Sequence, residues 1–398
     1  MIYKVSVLFL ATLLIATQLF SQSHEFTISG EVKNILTGKI YLNPGNIERK
    51  FFIASKLFDS AQIINGKFIF NRSQVGSKIH GYRLYIDGDS QSGSTDLVFI
   101  APHNQYIFID SISEYIAPII SNCKPQNEIR NQYNPFFSGF VKKFTDFYAY
   151  SDSIYEKYGR NTPLNLLDTL VLLSKKLTTT GDSLFLNYAT HHPNSIVTLW
   201  KLIERFNSQG YKIEYKHTYS LLANKIKNSP AGLLLKADLE AASLLSINNT
   251  FPVIKLKNIA LNNSVLNIKA MSNKFTLVDF WFSSCPPCLR EFPRYKKLYE
   301  TYKESGFSIV GISTDDTNDI EKWKKTILDL KLEWIQYLDE NATFSKSVLI
   351  NSFPTNFLLN EKGQIIAKNL SPQELENHLK VYLHLQNIYD KIQTNEPN

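Results

Sequence analysis

Two cysteines three residues apart, Cys285 and Cys288, enclose Pro286-Pro287 and follow the run Phe275-Thr276-Leu277-Val278-Asp279-Phe280-Trp281-Phe282. That run reads as a buried strand, and Leu289 to about Glu304 reads as a helix. A thiol at a helix N-terminus faces unpaired N–H groups and the positive end of the helix dipole, and both favour the thiolate. The second thiol lies one turn further along, close enough to close a small disulfide. Types and spacing together point to exchange of electrons with the thiols of other proteins.

Other uses of the spacing are weaker. Structural zinc normally takes four ligands, yet after Cys288 the chain has no cysteine and only His378 and His384. A peroxide-reducing thiol of the peroxiredoxin kind would want Pro and Thr where Val278 and Phe282 stand. The remaining cysteine, Cys123, reads as a small buried hydrophobe.

The elements around the pair alternate between strand and helix. Val253–Leu256 and Val265–Ile268 form an entry hairpin, and the strand at 275–282 and the helix at 286–304 follow. Then come a strand at Phe307–Ile312, a helix at Asp319–Leu330, a strand at Trp334–Tyr337 and a short helix around 341–349. Beyond the loop Asn351–Thr355, a hairpin turns through Asn360–Gly363, and a last helix runs from Pro372 to about Leu385 with Ser371 as its cap.

The N-terminal part has another period. Phe26, Ile28 and Val32 alternate with Thr27, Ser29 and Glu31, and Tyr82, Leu84 and Ile86 alternate again. Asn65-Gly66 between Ile63-Ile64 and Phe68-Ile69-Phe70 signals a tight hairpin. A small antiparallel sandwich or barrel over 24–115 is expected. From 116 to 248 the period is helical: Tyr133, Phe137, Phe140, Phe144 and Phe147 share one face, Leu166, Leu170, Leu173 and Leu177 a second, and Ile196, Leu199, Ile203 and Phe206 a third. His191-His192 lacks neighbouring metal ligands and reads as loop or cap.

At 398 residues two or three domains are expected. The net charge of +7 is spread over many surface segments without a basic run, so no nucleic-acid partner is implied. Residues 1–23 read as a signal peptide: Lys4 precedes the apolar stretch Val5–Ala16, which is shorter than the ~20 residues that span a bilayer. Three cysteines are too few for a disulfide-stapled exported scaffold.

The segment Val278–Cys288 resembles the active-site segment of the thioredoxin superfamily, and Leu289-Arg290-Glu291-Phe292-Pro293 resembles its TlpA/ResA-like branch of exported thiol-disulfide oxidoreductases. Ser352-Phe353-Pro354-Thr355 matches that family's cis-proline loop. The resemblance covers about 250–388 and implies an α/β thioredoxin fold over 249–390. The whole is then multidomain, with an N-terminal all-β domain, a helical spacer and the thioredoxin-like domain. It further implies that Cys285 is the exposed attacking thiol, that Cys288 is the buried resolving thiol, and that Asp279 or Glu291 takes the Cys288 proton. Phe353 and Pro354 shape the substrate-binding surface, and Pro293 kinks the helix. No cofactor and no metal are implied. The expected activity is disulfide reduction in the periplasm or cell envelope, of the cytochrome c biogenesis kind, on protein thiols and disulfides, with a membrane electron donor. A disulfide oxidant or isomerase, or a ligand-binding protein with an accessory thioredoxin module, are the alternatives.

Overall fold

The computed structural model describes residues 26–43, 59–72, 79–110, 112, 119–271 and 273–382, and the signal-peptide expectation lies outside them. Contacts divide the chain into two units, one reaching Val141 and including Ser195–Trp200, the other holding the remainder.

In the first unit, period-two burial produces strands. They are β1 (Phe26–Val32), β2 (Thr37–Asn43), β3 (Asp59–Ile64), β4 (Lys67–Arg72), β5 (His80–Gly88), β6 (Ser92–Ser94), β7 (Val98–Ile100), β8 (Gln105–Ile109) and β9 (Ile119–Ser121). The sheet order is β6-β5-β2-β3-β4-β1-β8-β9, with β7 paired to β5. Asn65 and Gly66 both take positive φ, as a two-residue hairpin between β3 and β4 demands. Phe26, Ile28, Tyr82, Leu84 and Ile86 enter one core, as their alternation requires. One pairing departs from the antiparallel expectation: β1 and β8 run parallel. Their connection passes through other strands, so no tight hairpin constrains its direction.

The helical residues follow the expected faces in part. Phe137 is buried while Tyr133, Phe140, Phe144 and Phe147 are half-buried, so the aromatic stripe lies on the covered face of Asn134–Tyr158. Leu170 is buried, but Leu173, expected beside it, is exposed. His192 caps the helix Leu164–His191 and stacks on Tyr188 at 4.1 Å. In the second unit, buried Asp182 accepts bonds from Arg205 at 3.1 Å, Lys212 at 2.5 Å and the Tyr215 hydroxyl at 2.9 Å, which compensates its charge and ties helices together. Among the described residues no helix is long and apolar enough to cross a membrane.

The C-terminal part is a thioredoxin-like α/β domain. Its strands are β10 (Ile254–Asn258), β11 (Asn263–Leu266), β12 (Phe275–Trp281), β13 (Phe307–Ser313), β14 (Ile335–Leu338), β15 (Thr355–Asn360) and β16 (Ile365–Lys368), in the order β11-β10-β14-β13-β12-β15-β16. The middle three, β14-β13-β12, are parallel, and β15 returns antiparallel to β12. Apolar clusters cover both faces: Leu277, Trp281 and Ile309 on one, Val278, Phe280, Val310 and Ile312 on the other. Ser371 caps the last helix, at residues 372–382, in a reciprocal box. Its hydroxyl accepts the Glu374 N–H, and Glu374 Oε2 accepts the Ser371 N–H.

Gly30 shows how tightly β1 is held against β8. A Cβ there would lie 2.2 Å from the Ile107 carbonyl oxygen, a backbone atom that cannot move aside cheaply. Gly30→Ala should therefore lower the stability of the N-terminal unit by about 1–3 kcal/mol, read from the shift in its denaturant midpoint.

Candidate active site

Every residue of β12 is buried, so the strand must satisfy two cores at once. Strand parity puts Leu277, Asp279 and Trp281 on one face and Val278 and Phe280 on the other. The first face meets Phe292 and Tyr295 of the helix Pro286–Tyr302. Asp279 therefore projects toward that helix from the middle of a sheet.

The chain leaves β12 at Trp281, beyond the C-terminal ends of parallel strands, where α/β sheets place their functional groups. Cys285 is the N-cap of the helix, with Pro286 and Pro287 in its first two positions. Neither proline has an N–H to give, and the Cys288 N–H donates to Cys285 Sγ at 3.3 Å. Cys285 and Cys288 are joined as a disulfide with their Cα atoms 5.4 Å apart. Pro293 lies inside the helix, which continues to Tyr302. The free cysteine, Cys123, is buried, and burial pushes its thiol up to about 11, which keeps it unreactive.

The loop before Cys285 is clamped. Ser283 donates to Asp315 through its N–H at 2.9 Å and its hydroxyl at 2.7 Å, and the Ser313 hydroxyl donates to Asp315 at 2.5 Å. Sequence reasoning misses Asp315; the available signal is an acid just beyond a parallel strand. Ser284, exposed at the rim, receives the Lys322 ammonium. Across the site the Phe353–Pro354 peptide is cis, as expected. Phe353 and Phe282 meet edge to face at 5.4 Å.

One expectation is overturned. Cys285 is not exposed: it and Cys288 each show 1% of their surface. Cys285 caps the helix instead of projecting from the loop, and Phe282 and Phe353 pack on the cluster that holds both cysteines.

Both candidate acids are present, with different surroundings. Asp279 is 2% exposed and its Oδ1 has no hydrogen-bond partner. Burial, and next the Glu291 charge, hold its carboxyl well above the usual range. Glu291 is half-buried and accepts the Tyr295 hydroxyl at 3.1 Å. Burial pushes it up to about 7, against the lowering influence of Tyr295, Arg294, Arg290 and Lys175. It is therefore not a fully solvated helix acid. The helix Leu164–His191 supplies Lys175, which binds Glu374 at 2.5 Å, and Asp168, which pairs with Arg294 at 3.0 Å.

Comparison with known proteins bears on this arrangement. Residues 246–382 match the Redoxin family. The thiol-disulfide oxidoreductase ResA of Bacillus cereus is 28% identical over 123 residues, which is 30% of this chain and 70% of that protein. The sporulation thiol-disulfide oxidoreductase A of Bacillus subtilis is 29% identical over 102 residues, 25% of this chain and 62% of that one. The solved thioredoxin domain of a thiol-disulfide oxidoreductase from Bacteroides vulgatus is 34% identical, covering 35% of this chain and 99% of its own, with a TM-score of 0.32.

Glu291 links protonation to folding. Between its ordinary value near 4.5 and about 7 the folded chain holds a proton that the unfolded chain has lost, so the stability this proton brings falls as pH rises through that window. Glu291→Gln should remove that loss. Unfolding curves should show the variant more stable than the parent above pH ~7.5, by on the order of 1–3 kcal/mol, with little difference near pH ~4.

Proposed function

We propose that this chain, a thiol-disulfide oxidoreductase whose residues 246–382 belong to the TlpA/ResA-like branch of the thioredoxin superfamily, reduces disulfides of exported proteins through Cys285 and Cys288. The observation that carries the reading is the helix start itself, where a cysteine caps the helix and receives the N–H of the second cysteine one turn on.

In this reading the reduced Cys285 thiolate attacks one sulfur of a partner disulfide. A Cys285–partner bond forms, the partner's internal bond breaks, and its other sulfur leaves as a thiolate that takes up a proton. Cys288 then gives its proton to a carboxylate and attacks Cys285 Sγ. The intramolecular disulfide closes and the partner departs with two electrons gained. Glu291 suits the proton-accepting role better than Asp279, because a hydrogen-bond donor supports its charged form and its pKa lies near neutral pH. Asp279 has no such donor on Oδ1, and burial holds its carboxyl well above the usual range. Phe353 and Pro354 form the rim on which the partner's chain docks, so the partner must displace the cover over Cys285.

The rest of the reading rests on the sequence. Residues 1–23 direct export to the periplasm or cell envelope, where a membrane electron donor restores the dithiol. The β domain in this reading runs through β9 (Ile119–Ser121) rather than ending at 115, with the helical spacer from there to 248 and the catalytic domain from 249.

Single cysteine variants test the roles. With Cys288→Ser, mixed disulfides with partners should accumulate on a non-reducing gel, because nothing resolves them. With Cys285→Ser few adducts should form, and both variants should lose reductase turnover. Equal trapping by the two would refute the assignment. Since the prolines withhold two N–H donors from the thiolate, the reduction potential should lie at roughly −270 to −180 mV, and a value near about −120 mV would make the chain an oxidant.

A further inference from the structure

Tyr295 stands one helical turn beyond Glu291 and is 1% exposed. Its hydroxyl oxygen lies 3.1 Å from Glu291 Oε2, 3.1 Å from Asn356 Nδ2 and 3.4 Å from the Leu370 carbonyl oxygen. Asn356, opposite Asp279 in the β12–β15 register, cannot turn over. Its Oδ1 accepts the Leu370 N–H at 2.9 Å and its Nδ2 donates to the Leu370 carbonyl at 2.9 Å. The amide must therefore present an N–H to Tyr295, which fills one lone pair of the tyrosine oxygen. What remains to that hydroxyl is one proton and one lone pair, with two acceptors in reach.

We infer that Tyr295 is a positioning residue for the resolving step, its hydroxyl turning between Glu291 and the Leu370 carbonyl so that the half-buried carboxyl keeps a hydrogen-bond partner in both protonation states. When Glu291 is ionised, Tyr295 donates to it. When Glu291 carries the Cys288 proton, that proton is donated to the tyrosine's free lone pair and the tyrosine O–H swings to Leu370. A half-buried carboxyl changing charge without this device would lose its hydrogen bond to Tyr295 in one of the two states, at a cost. The inference rests on the reading of Glu291 as the proton acceptor. The other charged or titratable groups facing Glu291 are Arg290 and Arg294 on its own helix, Asp279 on β12 and Lys175 on the helix Leu164–His191.

The test uses the reduced full chain in a single turnover with a small aromatic disulfide. One equivalent of thiolate is released as Cys285 attacks, and a second as Cys288 closes the bridge. The rate of the second release should rise with pH along one titration. Tyr295→Phe keeps the ring and removes the donor, so the midpoint should move up by about one unit while the high-pH plateau is kept. A fluorotyrosine at position 295, whose more acidic hydroxyl donates more strongly, should move the midpoint down without risk to the fold. Glu291→Gln should abolish the titration near 7, leaving the second release to follow the ionisation of the Cys288 thiol itself at higher pH. If Glu291→Gln leaves the titration intact, the proton-acceptor reading fails and the inference with it. If Glu291→Gln abolishes it but neither tyrosine variant moves the midpoint, or Tyr295→Phe only lowers the plateau, the inference alone is overturned.

Discussion

A helix has to begin at Cys285, and most of the surrounding structure serves to fix that starting point. The N–H of Cys288 reaches Cys285 Sγ because the turn starts there. Ser283, two residues earlier, is tied to Asp315 at the end of β13, so the chain cannot slide along the axis. β12, buried on both faces, holds the approach in one register with β13 and β15. A one-residue slip would carry Asp279 to the opposite core and Val278 toward the helix, a change that neither cluster could accommodate.

The two acids illustrate how environment separates identical chemistry. Both carboxyls are lifted by burial, yet Glu291 has a phenolic donor and nearby cations while Asp279 has an oxygen without partners. Groups whose surroundings push their titrations apart take different parts in proton transfer. Lys175, from the helix Leu164–His191, is among the cations that lower the Glu291 carboxyl.

What could be read from the sequence was whatever depends on neighbours along the chain. The dithiol, the strand before it, the Asn65-Gly66 turn and the Ser371 cap are local patterns with local causes. Asn356 and Tyr295 were invisible because their meeting depends on strand pairing and on the helix crossing β12. Glu291 is ambiguous for a related reason: an acid near the start of a helix is usually solvated, and only packing shows that this one is not. The exposure of Cys285 was misjudged because its cover includes Phe353, distant in sequence. Leu173 failed in the opposite direction, since a periodic stripe says which residues share a face but not how far along the helix that face is covered.

The burial of both sulfurs gives the oxidised form a selectivity of its own. A disulfide hidden beneath Phe282 and Phe353 meets reductants only as often as that cover opens. On the proposed reading a small thiol has little of either sulfur to strike, whereas a protein that engages Phe282 and Phe353 uncovers them as it binds. On that reading the disulfide is chemically insulated, its wiring set by the shape of the partner and its leakage by the packing of two aromatic rings.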